Sequence, residues 1–267
     1  MYNIKAIQSH YYSHYVLQFR SYYMTIPKSH PRYVSLKTRE LIEYGVKIGI
    51  TSLNGLVAHG RGEAFDYLIG EKTHDFAKEA VDAAASLLLL AHYPVISVNG
   101  NTAALVPEEL IALGEILNAP LEINLFHRSE ERLQNIKKHL AAHGAKNILL
   151  PDVNCTIPHL ESDRRFVNPE GIKIADIVFV PLEDGDRTEA LIKNGKKVIT
   201  VDLNPLSRTA QTATITIVDN ITRALPLLIR AMKTFREKNK EVCLTTIKQY
   251  NNLTVLDKAL SAITSRV

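Results

Sequence analysis

Cysteine is scarce in this chain of 267 residues: Cys155 and Cys243 stand far apart and without CxxC spacing. Neither a disulfide scaffold nor a zinc site is expected from them, and a reducing compartment is the default. The Asn-x-Thr triplets at Asn154, Asn220 and Asn252 then read as coincidence rather than glycosylation sites. Long apolar runs are missing as well. The longest, Ala83–Ala91, carries Ser86 and is too short for a membrane span. Charge of one sign is not concentrated: 32 Lys and Arg against 28 Asp and Glu leave a formal net charge of +4. Without a Lys/Arg block this excludes a nucleic-acid footprint and suits an anionic small-molecule substrate. No GxGxxG follows a predicted strand, and no Gly-Lys-Ser/Thr completes a Walker A loop. A dinucleotide oxidoreductase and a P-loop nucleotidase therefore both lose their signature. His74, His92, His127, His139, His143 and His159 are scattered without ligand spacing, so no metal site is predicted.

What is present is ordinary globular composition, 46% hydrophobic and 22% charged, and a strong alternation. Helical spacing covers Val34–Ile48, and an alanine- and leucine-rich helix covers Thr73–Tyr93. From there the pattern reads strand Val95–Val98, helix Pro107–Leu117, strand Leu121–Phe126, helix Ser129–Ala142 and strand Ile148–Leu150. An irregular stretch, Pro151–Gly171, holds the charged run Glu161–Arg165. Strand Ile177–Val180, helix Arg187–Lys193, strands Val198–Val201 and Ile215–Val218, and helix Ile221–Phe235 follow. A polar linker then leads to an amphipathic helix at Leu253–Ile263. Strands alternating with helices predict βαβ units, hence an α/β fold with a mostly parallel sheet flanked by helices and an N-terminal helical segment. Short, continuously apolar strands fit a sheet covered on both faces.

Three strands open into polar clusters: Pro181–Ala190, Asp202–Thr209 and Asp219–Ile221. A parallel sheet binds its ligand beyond the carboxyl ends of its strands, so stacked acids, amides and arginines there mark a site. Helix caps and turns are the alternative reading, because Asp184-Gly-Asp-Arg-Thr and Asn204-Pro suit them too. Asn204, Ser207 and Arg208 together offer an amide, a hydroxyl and a planar phosphate fork. His59-Gly-Arg-Gly-Glu63 reads as a loop whose glycines free backbone amides for phosphate, or as a flexible loop before a helix starting near Glu63. Asn99 and Asn101 suit a substrate hydroxyl or carboxylate, or an Asn-Gly turn. Lys28, His30 and Arg32 beside Pro27 and Pro31 form a rigid basic segment able to close over an anion, or a solvated arm.

These tracts in this order resemble archaeal-type phosphopantothenate synthetase, the 4-phosphopantoate–β-alanine ligases. The resemblance is carried by Ile26–Arg32, Ala58–Gly70, Val98–Asn101, Leu121–Phe126, Val180–Ala190, Asp202–Arg208 and Ile217–Ile221, and spans roughly Met24 to Phe235. It implies a Rossmann-like fold and a cytoplasmic homodimer. It also implies a ligase that joins 4-phosphopantoate to β-alanine while cleaving ATP, with Mg²⁺, to AMP and diphosphate on the route to coenzyme A. By the resemblance, ATP contacts fall on Arg39, Arg61, Asp202, Leu203, Asn204, Arg208, Thr209, Asn220 and Ile221. Lys28, His30, Arg32, Asn99 and Asn101 are candidates for the phosphorylated acid, and Glu63 or Asp66 for Mg²⁺ or the β-alanine ammonium. No nucleic acid or membrane partner is expected, and a non-catalytic nucleotide-binding module is the competing reading. Residues 1–23, with six tyrosines, lie outside the resemblance and read as an extension upstream of a start at Met24. Residues 24–267 then form a single α/β domain with a C-terminal helical tail.

Overall fold

The computed structural model describes residues Ile26–Ser265, so the expectation for residues 1–23 lies outside the described residues. The chain divides into an N-terminal unit ending at Leu41 and a larger unit from Ile42 onward. In the first, Tyr33 begins helix α1 (Tyr33–Lys47), where a Lys37–Glu40 ion pair and a Thr38 hydroxyl donating to the Ser35 carbonyl brace the first turns.

The larger unit opens with α2 (Leu53–Ile69) and α3 (Asp75–Leu89). It then alternates: β1 (Pro94–Val98), α4 (Gly100–Leu105), α5 (Pro107–Leu117), β2 (Leu121–Ile123), α6 (Glu130–Ala142) and β3 (Ile148–Leu149). An antiparallel ribbon of β4 (Asp152–Thr156) and β5 (Phe166–Val167) encloses a 3₁₀ turn at Asp163–Arg165. Then come β6 (Ile177–Phe179), α7 (Gly185–Lys193), β7 (Lys197–Val201), α8 (Arg208–Thr212), β8 (Ile215–Ile217) and α9 (Ile221–Arg236). Helices α10 (Lys240–Gln249) and α11 (Asn252–Thr264) finish the chain.

Six strands pair in the order β3-β2-β1-β6-β7-β8, every pairing parallel. The ribbon strands stand outside this sheet, so its order follows the doubly wound pattern, which reverses between β1 and β6. Alternation along each strand sends successive side chains to opposite faces. Val95, Val178, Val180 and Val198 therefore share one core with Ala190 and Leu191 of α7 and with Ile157, Leu160, Val167 and Ile172 around the ribbon. Ile96 faces the other way, toward α5, where Gly114 sits so close to Leu121 that a Cβ would collide with it, and within van der Waals reach of Ile96. Among the described residues, no helix is long and apolar enough to cross a membrane.

Four local expectations are corrected. The tract His59–Glu63 is not a loop but the middle of α2, which starts at the Ser52 cap and ends at Gly70 with φ +96°. Each interior glycine costs a helix about 1 kcal/mol against alanine, which is why the sequence pattern favours a loop. Gly55 explains part of the cost, since a Cβ there would strike Asn101 and Thr51. The stretch Pro151–Gly171 contains the ribbon rather than irregular chain, its strands too short to show a period. The polar linker before Leu253 is helix α10, capped by the Asn239 side chain accepting from the Glu241 amide at 2.6 Å. Between β7 and β8 the Asp202–Thr209 cluster runs into the short helix α8.

Candidate active site at the carboxyl edge of the sheet

The strand order reverses between the paired strands β1 and β6, and a doubly wound sheet binds its ligand beyond the carboxyl ends of the strands at such a point. Asn99 closes β1 and caps α4: its Oδ1 accepts from the Thr102 amide at 3.0 Å, and the Thr102 hydroxyl returns the bond in a capping box. Its Nδ2 donates to the Pro181 and Leu182 carbonyls at 3.1 and 3.0 Å. That grip holds the loop after β6 where Leu182 adopts φ +54°, a left-handed conformation a branched side chain takes only under constraint. Asn101 is engaged in the same way: it accepts from the Thr51 hydroxyl and donates to the Gly55 carbonyl at 2.8 Å. Both amides are thus occupied in tying α2, α4 and the β6 loop together.

Beneath that loop lies a buried polar layer. The Glu183 side chain is 1% exposed and receives Arg187 Nη1 at 2.6 Å, with Ser97 Oγ accepting from the same nitrogen at 3.0 Å. Arg164, from the 3₁₀ turn, ion-pairs with the other Glu183 oxygen and lies 3.7 Å from Asp184. Arg187 is fully buried and Arg164 nearly so. Burial and mutual repulsion pull Arg164 down to about 9, and burial pulls Arg187 to about 10. Arg187 Nε and Nη2, Arg164 Nε and the Asn124 Oδ1 are buried with no hydrogen-bond partner. Glu122 on β2 receives the amides of Asn168 and Ile172 at 3.0 and 2.6 Å and pins the connection after the ribbon to the sheet; burial raises its carboxyl to about 7.

The β7–β8 half is built differently. Asp202 accepts the Asn204 amide at 2.9 Å and the Ser207 hydroxyl, while Asn204 Oδ1 accepts the Leu206 amide at 2.9 Å. These bonds fold the loop into α8, which Ser207 caps at the Ala210 amide. Burial raises the Asp202 carboxyl, offset by Ser207, Asn204 and the charge of Arg61. Arg61 is thereby placed near Asp202, and a Cβ at Gly62 would sit 3.8 Å from Leu203. Arg208 is exposed and steadied by Glu189 at 3.0 Å; Thr209 is buried and donates to the Glu183 carbonyl at 2.8 Å. At β8, Asp219 accepts from the Thr73 hydroxyl at 2.6 Å and pairs with Arg223 at 2.6 Å. Arg223 also holds Asp66 of α2 at 2.5 Å, and Asp66 receives the Asn220 amide at 2.8 Å. Asn220 Oδ1 caps α9 at the Thr222 amide, 3.1 Å away, and Ile221 behind it is buried.

The structure thus brings Arg61, Asp202, Leu203, Asn204, Arg208, Thr209, Asn220 and Ile221 to one edge of the larger unit. Asp66 is engaged by Arg223 and Asn220. Among the described residues no group of three or more His, Cys, Asp or Glu is arranged to hold a metal ion. Lys28, His30, Arg32 and Arg39 belong to the N-terminal unit. There His30 Nδ1 accepts the Arg32 amide at 3.0 Å, and Arg39 is half-buried on α1. The sequence places Glu183 only within the Pro181–Ala190 cluster and does not single out Arg164 or Arg223. The Glu183–Arg187 spacing of four residues was a usable signal for one pair. Arg164 had none, because the run Glu161–Arg165 reads as solvated charge.

Comparison with known proteins places this chain in a family. The family model described as phosphopantothenate/pantothenate synthetase matches residues 76–266. A 4-phosphopantoate–β-alanine ligase of Methanosarcina mazei is 51% identical over 240 residues, 89% of this chain and 94% of the relative. Its counterpart in Thermococcus kodakarensis is 52% identical over 246 residues, 91% of this chain and 94% of the relative. One from Methanospirillum hungatei is 54% identical over 205 residues, 77% and 84% of the two chains. With the parallel sheet, its reversal point and both polar loops inside the matched region, this chain belongs to the phosphopantothenate/pantothenate synthetase family.

Proposed function

We propose that this chain is a 4-phosphopantoate–β-alanine ligase acting in coenzyme A biosynthesis, taking ATP as co-substrate with Mg²⁺ carried by the nucleotide phosphates. The observation that carries the reading is identity above half with the named ligases across nearly the whole chain. A homodimer in the cytoplasm is part of the same proposal.

A carboxylate is a poor electrophile at neutral pH and must be activated before an amine attacks. In the proposed route a carboxylate oxygen of the acid attacks the α-phosphorus of ATP and diphosphate leaves. The neutral β-alanine amine then attacks the acyl carbon, loses a proton, and expels AMP. Such a route asks the protein for positioning and charge neutralisation rather than a covalent nucleophile. Arg39, Arg61 and Arg208 are proposed to hold the triphosphate, with Asp202, Leu203, Asn204 and Thr209 shaping the loop beneath it. The Asn220 side chain is spent on Asp66 and Thr222, so it supports the α9 terminus, and the Ile221 amide at that terminus is the proposed donor to the nucleotide. Lys28, His30 and Arg32 remain proposed for the phosphorylated acid, with Asn99 and Asn101 holding the crevice wall.

Phosphorus NMR of enzyme, ATP, 4-phosphopantoate and β-alanine tests this. Diphosphate and AMP should appear only with the acid present, and a mixed anhydride should accumulate without β-alanine. Accumulation of ADP and orthophosphate would overturn the adenylate route.

A further inference from the structure

The family description spans enzymes of phosphopantothenate and of pantothenate, so something in each member must decide whether the acid carries a phosphate. The polar layer beyond β1 and β6 contains a group suited to that decision. Arg164 and Arg187 pair with the two oxygens of one carboxylate, Glu183. Arg132, on α6, adds a third like charge felt by Arg164. Its Nη1 donates to the His127 carbonyl, 2.5 Å away, while its Nε is buried and unpaired. Opposing charge comes from Asp184, half exposed, and from Asp186. Glu122, the other carboxylate near Arg187, ionises only around pH 7 and compensates incompletely.

Buried guanidinium nitrogens without partners are costly, because each forfeits its hydration. The chain nevertheless keeps Arg187 Nε and Nη2 and Arg164 Nε in that state, on two side chains anchored by Ser97 of β1 and by Glu183 after β6. A phosphate dianion offers several charged acceptor oxygens to a guanidinium fork, whereas the free hydroxyl of the unphosphorylated acid offers no charge at that position. The opposite half of the edge has its acids tied to backbone amides, Ser207 and Arg223, and is the proposed nucleotide side.

We propose that Arg164, seated on Glu183 with Arg187 behind it, receives the phosphate of the acid substrate and so selects the phosphorylated acid over the free hydroxy acid. This rests on the ligase reading above. Arg187 positions Arg164 and Glu183 and supplies charge from below. The 3₁₀ turn between the ribbon strands is then the element that carries substrate selection.

The test is kinetics of Arg164→Ala and Arg164→Lys with 4-phosphopantoate and with pantoate, each against saturating ATP. Loss of a charge-assisted pair should lower kcat/KM for 4-phosphopantoate by roughly ten- to a hundredfold in the alanine variant. Pantoate turnover should hardly change, lysine should rescue in part, and KM for ATP should stay within about twofold. Equal losses for both acids, a change in ATP KM alone, or unchanged selectivity in a folded variant would each overturn the assignment. If the alanine variant does not fold, thermal shifts of Arg164→Lys and of the wild-type protein with 4-phosphopantoate or pantoate, without ATP, decide. A shift with 4-phosphopantoate that is reduced in the lysine variant supports the seat, and equal shifts in the two proteins overturn it. That binding readout stands even where the product analysis above shows no amide, so failure of the seat and failure of the ligase reading are distinguishable.

Discussion

The two halves of the carboxyl edge solve the problem of buried charge in opposite ways. Around β7 and β8 each acid is answered locally: Asp202 by an amide and a hydroxyl, Asp219 by Arg223 and Thr73, Asp66 by Arg223 and Asn220. Around β1 and β6 two buried arginines share Glu183 and retain unpaired donors. The first half holds loops in shape before any ligand arrives. The second keeps unspent hydrogen-bonding capacity in a buried layer of low polarisability, where it is worth most to an anion.

That contrast breaks most visibly at Asp66. Asp66→Ala leaves Arg223 and Asn220 without their shared acceptor, and removing one member of a buried pair costs about 3–5 kcal/mol. At this chain length that amounts to a loss of roughly 6–20 °C in Tm by calorimetry; a melt unchanged within error would show that the β8 network does not hold α2.

On the other half, Glu122 gives a pH signature. Burial raises its folded pKa from 4.5 to about 7, so the native state favours the protonated form. The contribution is fully present below pH 4.5 and is lost as pH rises through about 7, amounting to about 3 kcal/mol. Urea unfolding at pH 5 and pH 8 reads it: Glu122→Gln should flatten this part of the profile, whatever its own cost in hydrogen bonds. An identical pH slope in the variant would remove the group from the account.

Arg61→Ala and Arg208→Ala separate binding from folding. Both side chains are exposed, so stability should move by under about 0.5 kcal/mol. The proposed triphosphate contacts predict kcat/KM for ATP falling roughly ten- to a hundredfold, with lysine rescuing in part. Near wild-type kinetics in both would return these arginines to the surface. The smallest effect sits at Gly60, mid-helix with open space where a Cβ would go. Gly60→Ala should stabilise by up to about 1 kcal/mol and leave ATP turnover unchanged. A loss of turnover would instead favour direct phosphate contact at the glycine tract of α2.

How far the sequence could be read follows from the range of the interactions concerned. Strands such as Val95–Val98 and Ile177–Val180 announce themselves because burial on both faces demands a continuous apolar run, and helix Pro107–Leu117 carries its proline at the start and its apolar spacing throughout. The Asp202–Thr209 and Asp219–Ile221 clusters are local too: a strand end, an Asx turn and a cap lie within eight residues. The ribbon strands, at two and five residues, are too short for a period, and α10 is polar enough to pass for a linker.

By itself, then, the sequence determined an α/β chain with parallel strands and polar clusters at three strand ends, since alternation and capping act between near neighbours. Tertiary structure alone decided that the glycines of His59–Glu63 lie inside a helix, because Ser52, Gly70 and the close approach of Gly55 to Asn101 outweigh their poor propensity. It also decided that Asp66 answers Arg223 across 157 residues, and that Arg164 meets Glu183 beneath the β6 loop. Such pairings join positions far apart along the chain, and only the closing of the sheet, with its strand order reversing at β1 and β6, brings them within reach.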